Sequence, residues 1–328
     1  MLDPFGRAVS YLRVSVTDRC NYRCSYCMAE DMTFLPRREL LTLEELQRIA
    51  TVFIGLGASK LRITGGEPLV RRDVMSLFRA LGARLGDGLE ELTLTSNGTL
   101  LHRYAAELAA CGVQRVNISL DTLRPERFRD LTRTGKLAEV LTGIDAAVAA
   151  GLQVKINTVA LRGFNDDEFD ELVGWCGERG FDLTFIESMP MGEIGQLRDA
   201  QFLALDGVRE SIARTWTLRD SAHASGGPAR YLEVAETGRR IGFITPYSHN
   251  FCESCNRVRL TCTGTLYLCL GQDDSCDLRT PLRDGASDAE LRQVILEAIA
   301  RKPRGHDFDE TRLVDGAQVV RFMNTTGG

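Results

Sequence analysis

The sequence predicts an α/β fold: an incomplete (β/α)6 TIM-type barrel followed by a C-terminal antiparallel extension, with a flat doubly wound sheet as the alternative. Three observations carry this. Strand-like and helix-like runs alternate roughly six times between residues 11 and 214, the pattern of parallel βαβ units. Six units are too few for a closed eight-unit barrel. After a Gly-, Ser- and Pro-containing stretch at 221–228 the runs become short and turn-separated. Residues 1–220 therefore read as a barrel domain and 221–328 as its extension.

Taken in order, Tyr11 to Val16 alternates and reads as the first strand, delivering a cysteine loop from its C-terminal end. Thr42 and Glu45 form a capping box for a helix running to about Leu56, where Gly57 stops it. Strand Lys60 to Ile63 leads through a Gly-rich turn to a helix from Asp73. Strand Leu92 to Thr95 passes through Ser96-Asn97-Gly98 into a helix ending near Cys111-Gly112. Strand Arg115 to Leu120 precedes a helix from about Leu137 that Gly151 ends, and strand Val154 to Val159 precedes a helix capped near Asn165. A sixth strand, Asp182 to Glu187, runs into an irregular segment and a shorter helix around Asp206 to Arg214. In the extension, Tyr231 to Val234 and Arg240 to Ile244 flank a Thr237-Gly238 turn and read as a hairpin. Ser287 and Glu290 cap one more helix, with Leu291, Val294, Ile295, Ala298 and Ile299 on one face. In either architecture function belongs at the C-terminal ends of the parallel strands.

The 328 residues carry a formal net charge of −5 and a pI of about 5.6. No overall basic field draws such a chain to nucleic acid or an anionic membrane, so an anionic substrate needs locally placed cations. No run of eighteen apolar residues and no basic-then-apolar N-terminus is present, and the expectation is a soluble, cytoplasmic protein. Ten cysteines then read as metal ligands and buried thiols rather than a disulfide framework.

Cys20, Cys24 and Cys27 lie within eight residues. Three thiolates leave one iron of a cubic iron-sulfur cluster without a protein ligand, and an open metal position signals chemistry. A zinc knuckle short of its fourth ligand, or chance clustering, is the bland alternative. A second set, Cys252, Cys255 and Cys269, is ambiguous because Cys262 and Cys276 lie nearby. A zinc ribbon of Cys252, Cys255, Cys269 and Cys276 is one reading. In a strand, residues 255, 257 and 259 share a face, which places Arg257 and Arg259 beside a thiolate. A zinc ribbon has no need of them, whereas a phosphate-rich substrate does. Gly65-Gly66 follows a strand and lets a ligand approach the backbone closely. Arg13, Arg62 and Lys155 lie on otherwise apolar strands, where cations are costly unless paired, either with local carboxylates or with a polyanion. His102, His223, His249 and His306 show no ligand spacing, and no acid–base dyad is evident.

The C-x-x-x-C-x-x-C spacing, with Tyr26 inside it, resembles the signature of radical S-adenosylmethionine (SAM) enzymes. Together with Thr64-Gly65-Gly66-Glu67-Pro68, the run Cys252 to Arg259 (C-x-x-C-N-R-x-R), Cys269 and the terminal Gly327-Gly328, it resembles the GTP 3',8-cyclase family of molybdenum-cofactor biosynthesis over nearly the whole chain. The resemblance implies two [4Fe-4S] clusters. One sits on Cys20, Cys24 and Cys27 with SAM at its open iron; the other sits in the extension on Cys252, Cys255 and Cys269 with the guanine of GTP at its open iron. It further implies SAM contacts from Tyr26, Gly66, Ser119 and Met189, and GTP contacts from Arg13, Arg62, Thr95, Lys155, Arg257 and Arg259. Gly327 and Gly328 would reach into the active site. The implied reaction abstracts the ribose C3' hydrogen with a 5'-deoxyadenosyl radical, joins C3' to guanine C8, then reduces and protonates. Its product is (8S)-3',8-cyclo-7,8-dihydroguanosine 5'-triphosphate. Expected partners are GTP, an electron donor and, by product transfer, a downstream cyclic pyranopterin monophosphate synthase, with no nucleic acid and no membrane; the chain would be a monomer or homodimer. Ala29 departs from the pattern, standing where a proline commonly follows the cysteine motif. The competing readings are a peptide-modifying radical SAM maturase and a non-enzymatic iron-sulfur or zinc module.

Overall fold

The computed structural model describes residues 1–192, 200–248, 251–308 and 318–327. Its first six strands are β1 (Tyr11–Ser15), β2 (Lys60–Thr64), β3 (Glu91–Ser96), β4 (Arg115–Ser119), β5 (Gln153–Ala160) and β6 (Asp182–Glu187). Each pairs in parallel with the next, as the alternating pattern predicts. β7 (Leu218–Asp220) ends the first segment, and the extension supplies β8 (Arg230–Val234), β9 (Arg239–Ile244), β10 (Arg257–Leu260), β11 (Thr265–Tyr267) and β12 (Ser275–Asp277). All twelve form one sheet in the order β12-β11-β10-β1-β2-β3-β4-β5-β6-β9-β8-β7.

The extension is antiparallel within itself, but it joins the barrel by parallel pairing on both sides. β9 lies parallel to β6 and β10 parallel to β1, while β7-β8-β9 and β10-β11-β12 are antiparallel. Hydrophobic burial explains the docking. Ile241 and Phe243 of β9 are buried, and the Phe243 ring stacks on Phe185 of β6 at 6.1 Å. Val258 and Leu260 of β10 pair with Leu12 and Val14 of β1 and are equally buried. Short strands with one apolar row have no core of their own, so they complete the existing one.

Register divides the sheet into two chemically distinct faces. Leu12, Leu61 and Leu92 pair across β1, β2 and β3, and Leu94, Val116 and Val154 across β3, β4 and β5. These pack beneath the outer helices: α1 (Leu43–Gly55), α2 (Val74–Gly82), α3 (Leu101–Ala110), α4 (Pro125–Thr132), α5 (Leu137–Ala149) and α6 (Phe169–Arg179). The alternate residues form the opposite rows: Arg259, Arg13, Arg62 and Thr93, then Thr95, Asn117, Lys155 and Asp182. A row of polar side chains on the inner face of a parallel sheet positions chemistry rather than packing.

Both predicted capping boxes are present, Thr42 with Glu45 on α1 and Ser287 with Glu290 on the helix Asp288–Ile299. The helix expected from Asp73 is α2, with Asp73 as its N-cap residue in the left-handed region (φ 59°). Two local expectations need correction. Asn165 caps no helix, because α6 begins only at Phe169; its amide instead ties the loop, accepting from Leu161 N and donating to the Asp121 and Val159 carbonyls. α4 is an addition that the sequence does not announce, because it buries only Phe128, Leu131 and Thr132. Among the described residues no helix is long and apolar enough to cross a membrane.

α3 and α5 approach closely because Gly143 has no side chain: a Cβ there would collide with the Gly98 carbonyl and press on Leu101 Cβ at 3.3 Å. Gly143→Ala is expected to lower stability by about 1–3 kcal/mol, seen as a lower urea midpoint at unchanged slope. Gly207→Ala, where a Cβ meets nothing within 4 Å, is the control and is expected to be neutral or mildly stabilising.

Candidate active site

The cysteine loop leaves β1 at the C-terminal edge of the sheet and is held there through its backbone. Val16 N donates to Thr64 O at 2.9 Å, Gly66 N to Thr17 O at 2.8 Å and Glu67 N to Arg19 O at 2.8 Å. The two chains run so close that a Cβ on Gly65 would lie 2.6 Å from Thr17 O, and one on Gly66 would strike the Arg19 carbonyl. The glycine pair is thus required by the loop itself, whatever else approaches it. On the far side, Arg23 N and Ser25 N donate to the Thr132 and Leu131 carbonyls at the end of α4. The helix missing from the sequence reading is the loop's second anchor.

Cys20, Cys24 and Cys27 line one cavity together with Tyr26, Gly66, Thr95, Ser119 and Met189, about 1110 Å³ including its solvent-open side. The four residues that the resemblance assigns to SAM are therefore brought together beside the first thiol set. Tyr26 donates from its hydroxyl to Asp121 Oδ2 at 2.8 Å, and Asp121 Oδ1 accepts from Val159 N at 2.8 Å. Burial pushes the Asp121 carboxyl up to about 6. Cys20 Sγ accepts from Tyr22 N at 3.4 Å and, more distantly, from Asn97 Nδ2 at 3.8 Å. Burial, with the Glu67 charge adding to it, pushes the Cys20 thiol up to about 11. Burial and the neighbouring Cys27, Asp121 and Cys20 hold Cys24 well above the ordinary thiol range. Such thiols become thiolates together only against concentrated positive charge, which a bound metal centre would supply. Among the described residues no three His, Cys, Asp or Glu side chains are grouped around one ion. A cubane asks for something else, one thiolate on each of three irons, and a cavity lined by three thiols suits that demand.

A second cavity, about 1140 Å³ including open solvent, is lined by Arg13, Arg62, Lys155, Arg257, Arg259, Cys252, Cys255 and Cys269. Cys262 and Cys276 do not line it: Cys262 is buried elsewhere and Cys276 pairs with Leu266 between β12 and β11. Arg259, Arg13 and Arg62 are register partners on three adjacent strands, and Tyr11 pairs with Arg257 on one side and Lys60 on the other. Burial, reinforced by Arg62 and Arg257, lowers the Arg13 guanidinium to about 10. Burial and the charges of Arg13 and Arg257 hold Arg259 well below its usual value. Lys155 is likewise lowered by burial, then by Arg62 and Arg115. For the Tyr11 phenol burial works upward, but Arg62, Arg13, Lys60 and Arg257 outweigh it and the net shift is downward.

Lys60 on this face has a carboxylate, Glu91, at 2.5 Å. Arg62, Lys155, Arg257 and Arg259 form no ion pair among the described residues, which disfavours local ion pairing as the reason for these cations. Their contacts are with neutral groups: Arg62 Nε donates to Thr93 Oγ1 at 3.3 Å, Lys155 Nζ to Tyr231 Oη at 2.5 Å and an Arg259 amino group to Gly327 O at 2.6 Å. Thr95 stands apart from this set. It lines the cysteine-loop cavity, where its buried Oγ1 has no hydrogen-bond partner among the described residues.

The two cavities adjoin. Asn157, Ile186, Met189 and Met323 line both. Met323 belongs to the C-terminal tail, which Asn324 fastens to the cysteine loop by donating to Asp18 O at 2.8 Å. Gly327 adopts φ 77°, and a Cβ there would strike the Thr64 side chain. Gly328, the other half of the expected terminal pair, and His249 lie outside the described residues. Tyr11, Asn157 and Met323 are site residues that sequence reasoning missed. Tyr11 carried a signal, its alternation with Arg13 on β1; Met323 carried none.

Two family profiles match the chain: the radical SAM superfamily over residues 14–176 and Molybdenum Cofactor Synthesis C over residues 181–308. The chain is 62% identical over its full length to a GTP 3',8-cyclase of Paracoccus denitrificans, covering 96% of that protein. It is 61% identical to the GTP 3',8-cyclase of Rhizobium meliloti, again over its full length and 94% of that protein. Among solved structures, Streptococcus suis SuiB bound to S-adenosylmethionine superposes with a TM-score of 0.58 at 16% identity, covering 97% of this chain and 77% of SuiB. That likeness concerns the fold alone.

The cysteine loop also rests on a buried carboxyl. Glu67 accepts from Leu69 N, Ser96 Oγ and Asn97 N at 2.7–3.0 Å, and burial pushes it up to about 7. The folded state then holds this proton more tightly than the unfolded state, so the group's contribution to stability falls as pH rises from about 4.5 to about 7. The stability difference between wild type and Glu67→Gln is expected to shrink by up to about 3 kcal/mol across that window, measured by urea unfolding at several pH values. A difference that is constant with pH contradicts it.

Proposed function

The chain belongs to the GTP 3',8-cyclase family of the radical SAM superfamily, and on that premise we propose how its two cavities divide the reaction. The enzyme acts in molybdenum-cofactor biosynthesis, converting GTP to (8S)-3',8-cyclo-7,8-dihydroguanosine 5'-triphosphate with SAM and an iron-sulfur cluster. Cys20, Cys24 and Cys27 would hold a cluster whose chemistry, with SAM bound, would be the one-electron cleavage of SAM. Tyr26, Gly66, Ser119 and Met189 hold SAM beside those thiols. Cys252, Cys255 and Cys269 hold a second [4Fe-4S] cluster, and the cationic cavity holds GTP. In terms of domains, residues 1–220 form the SAM-binding barrel and 221–328 the extension with the second site.

The register row of Arg259, Arg13 and Arg62 carries this reading. Three adjacent guanidiniums, that of Arg13 buried and those of Arg62 and Arg259 partly so, repel one another, and a triphosphate relieves all of them at once through charge-assisted, bidentate bonds. Arg257 and Lys155 extend the cationic wall, while Thr95, facing the other cavity, offers its unpartnered hydroxyl near the SAM side. With the triphosphate fixed on the row and the guanine directed to the second thiol set, the ribose lies toward the shared wall of Asn157, Ile186, Met189 and Met323. That wall is mostly apolar, which keeps water from the radical path. The tail, with Gly327 on Arg259 and Met323 on the wall, closes the site. The protein's work is thus orientation and exclusion of water, with no acid–base dyad assigned.

All ten cysteines are free thiols, which fits the reducing cytoplasm. There an electron donor would feed the enzyme and a cyclic pyranopterin monophosphate synthase would take its product; the chain would act as a monomer or homodimer. A peptide maturase is the alternative within the same fold, but it gives no role to Arg62, Lys155, Arg257 and Arg259, which line one cavity and form no ion pair among the described residues.

Arg13→Ala, Arg62→Ala and Arg259→Ala are each expected to weaken anaerobic GTP binding by about 10- to 100-fold, roughly 1.4–2.8 kcal/mol, while weakening guanosine binding much less. Equal losses for GTP and guanosine, or none for GTP, would remove the triphosphate from this row.

A further inference from the structure

Lys302 is among the most completely buried side chains of the protein, 2% exposed. An ammonium group in that position is costly unless its donors are matched. Two acceptors are within reach: Leu268 O at 2.7 Å and Cys255 Sγ at 3.6 Å. Among the described residues Lys302 has no carboxylate partner. Its approach to Cys255 is from outside the cationic cavity, since Lys302 does not line that cavity whereas Arg257 does. It therefore touches the thiolate without being placed to touch substrate.

The position of Lys302 is fixed on both sides. Its backbone N donates to Ile299 O at 3.0 Å, closing the end of the helix Asp288–Ile299. Immediately after it, Arg7 donates to Pro303 O at 2.5 Å, Arg304 O at 2.7 Å and Cys252 O at 2.6 Å, while its Nε pairs with Asp3 at 2.5 Å. One guanidinium thus ties the segment carrying Lys302 to the loop carrying Cys252. Cys255 is the thiol on which this charge acts, with Lys302 Nζ 3.6 Å from its Sγ.

Resting on the reading that Cys252, Cys255 and Cys269 hold a cluster, we infer that Lys302 is a positioning residue for it, donating an N–H···S bond to the Cys255 thiolate from the protein side and making that cluster easier to reduce. The reasoning is electrostatic. Adding an electron increases the negative charge on the thiolate-ligated cluster, and a fixed ammonium beside one ligand favours the more negative state. Hydrogen bonds to the ligating sulfurs and burial are among the levers that set such potentials. Arg257 acts on the same sulfur but faces the cavity, where bound triphosphate competes for its charge. Lys302 has no such competitor and acts with or without substrate.

The test is an EPR-monitored redox titration of reconstituted full-length enzyme, with iron analysis, for wild type and for Lys302→Met, Lys302→Gln and Lys302→Arg. The signal that changes on adding SAM marks the first cluster and serves as internal control. In the Met and Gln variants the other signal is expected to move to more negative potential, its reduced-to-oxidised ratio at fixed potential falling on the order of tenfold, about 59 mV for a one-electron couple. The Arg variant keeps the cation and is expected to stay near wild type, and the SAM-responsive signal is expected to be unmoved in all three. Met and Gln variants that lose the second cluster while Arg retains it also support the inference. Loaded Met or Gln variants with unchanged potential overturn it, as does a shift in Arg equal to theirs or loss of the cluster from all three. Wild type with about four irons and one signal, rather than about eight and two, sinks the two-cluster reading instead, independently of the Lys302 series.

Discussion

The structure depends on one electrostatic constraint: Arg259, Arg13 and Arg62 occupy neighbouring register positions on the inner face of a parallel sheet. Parallel strands bury both faces, so the outer face of β1 to β6 is given to Leu, Ile, Val and Phe beneath the helices and the inner face inherits the polar positions. Burial and the neighbouring cations act together on Arg13 and Arg259, and among the described residues neither Arg62 nor Arg259 has a carboxylate partner, so the proposed triphosphate would be their counter-charge. The fold places this row on the wall of a cavity.

The two thiol sets make sense relative to that row. The first hangs from the C-terminal end of β1, pinned between the Gly65-Gly66 backbone and the end of α4. The second precedes and follows β10, the strand that carries Arg257 and Arg259 and pairs with β1 on its other edge. One strand, β1, therefore fixes both the cation row and the distance between the two thiol sets. The tail completes the arrangement by placing Met323 on the wall between the cavities and Gly327 on Arg259.

Much of this is legible in the sequence, and the limits have physical causes. The six parallel strands emerge within a residue or two because their outer-face apolar residues are local signals. The cysteine spacings and the Arg257, Arg259 alternation are local as well. The parallel docking of β9 and β10 is not, because it is decided by core residues on β6 and β1 far away in the chain. α4 escapes because it buries so little, and Asn165 misleads because a loop tie and a helix cap ask for the same residue type. Lys302 looks like an ordinary surface lysine after a helix; only the folded chain shows Cys255 beside it. Glycines at 65 and 66 suggest ligand approach, yet the first thing they admit is the neighbouring backbone.

The account as a whole rests on the cavities meeting at the ribose. Its most direct test is anaerobic turnover of reconstituted enzyme with SAM, dithionite and GTP deuterated at ribose C3', followed by mass analysis of the 5'-deoxyadenosine. The account predicts 5'-deoxyadenosine carrying the substrate deuterium, since Asn157, Met189 and Met323 line both cavities and the proposed pose would turn C3' to the SAM side. Unlabelled 5'-deoxyadenosine formed at the same rate would contradict it, because the radical would then be drawing its hydrogen from somewhere other than the position that the two cavities bring together.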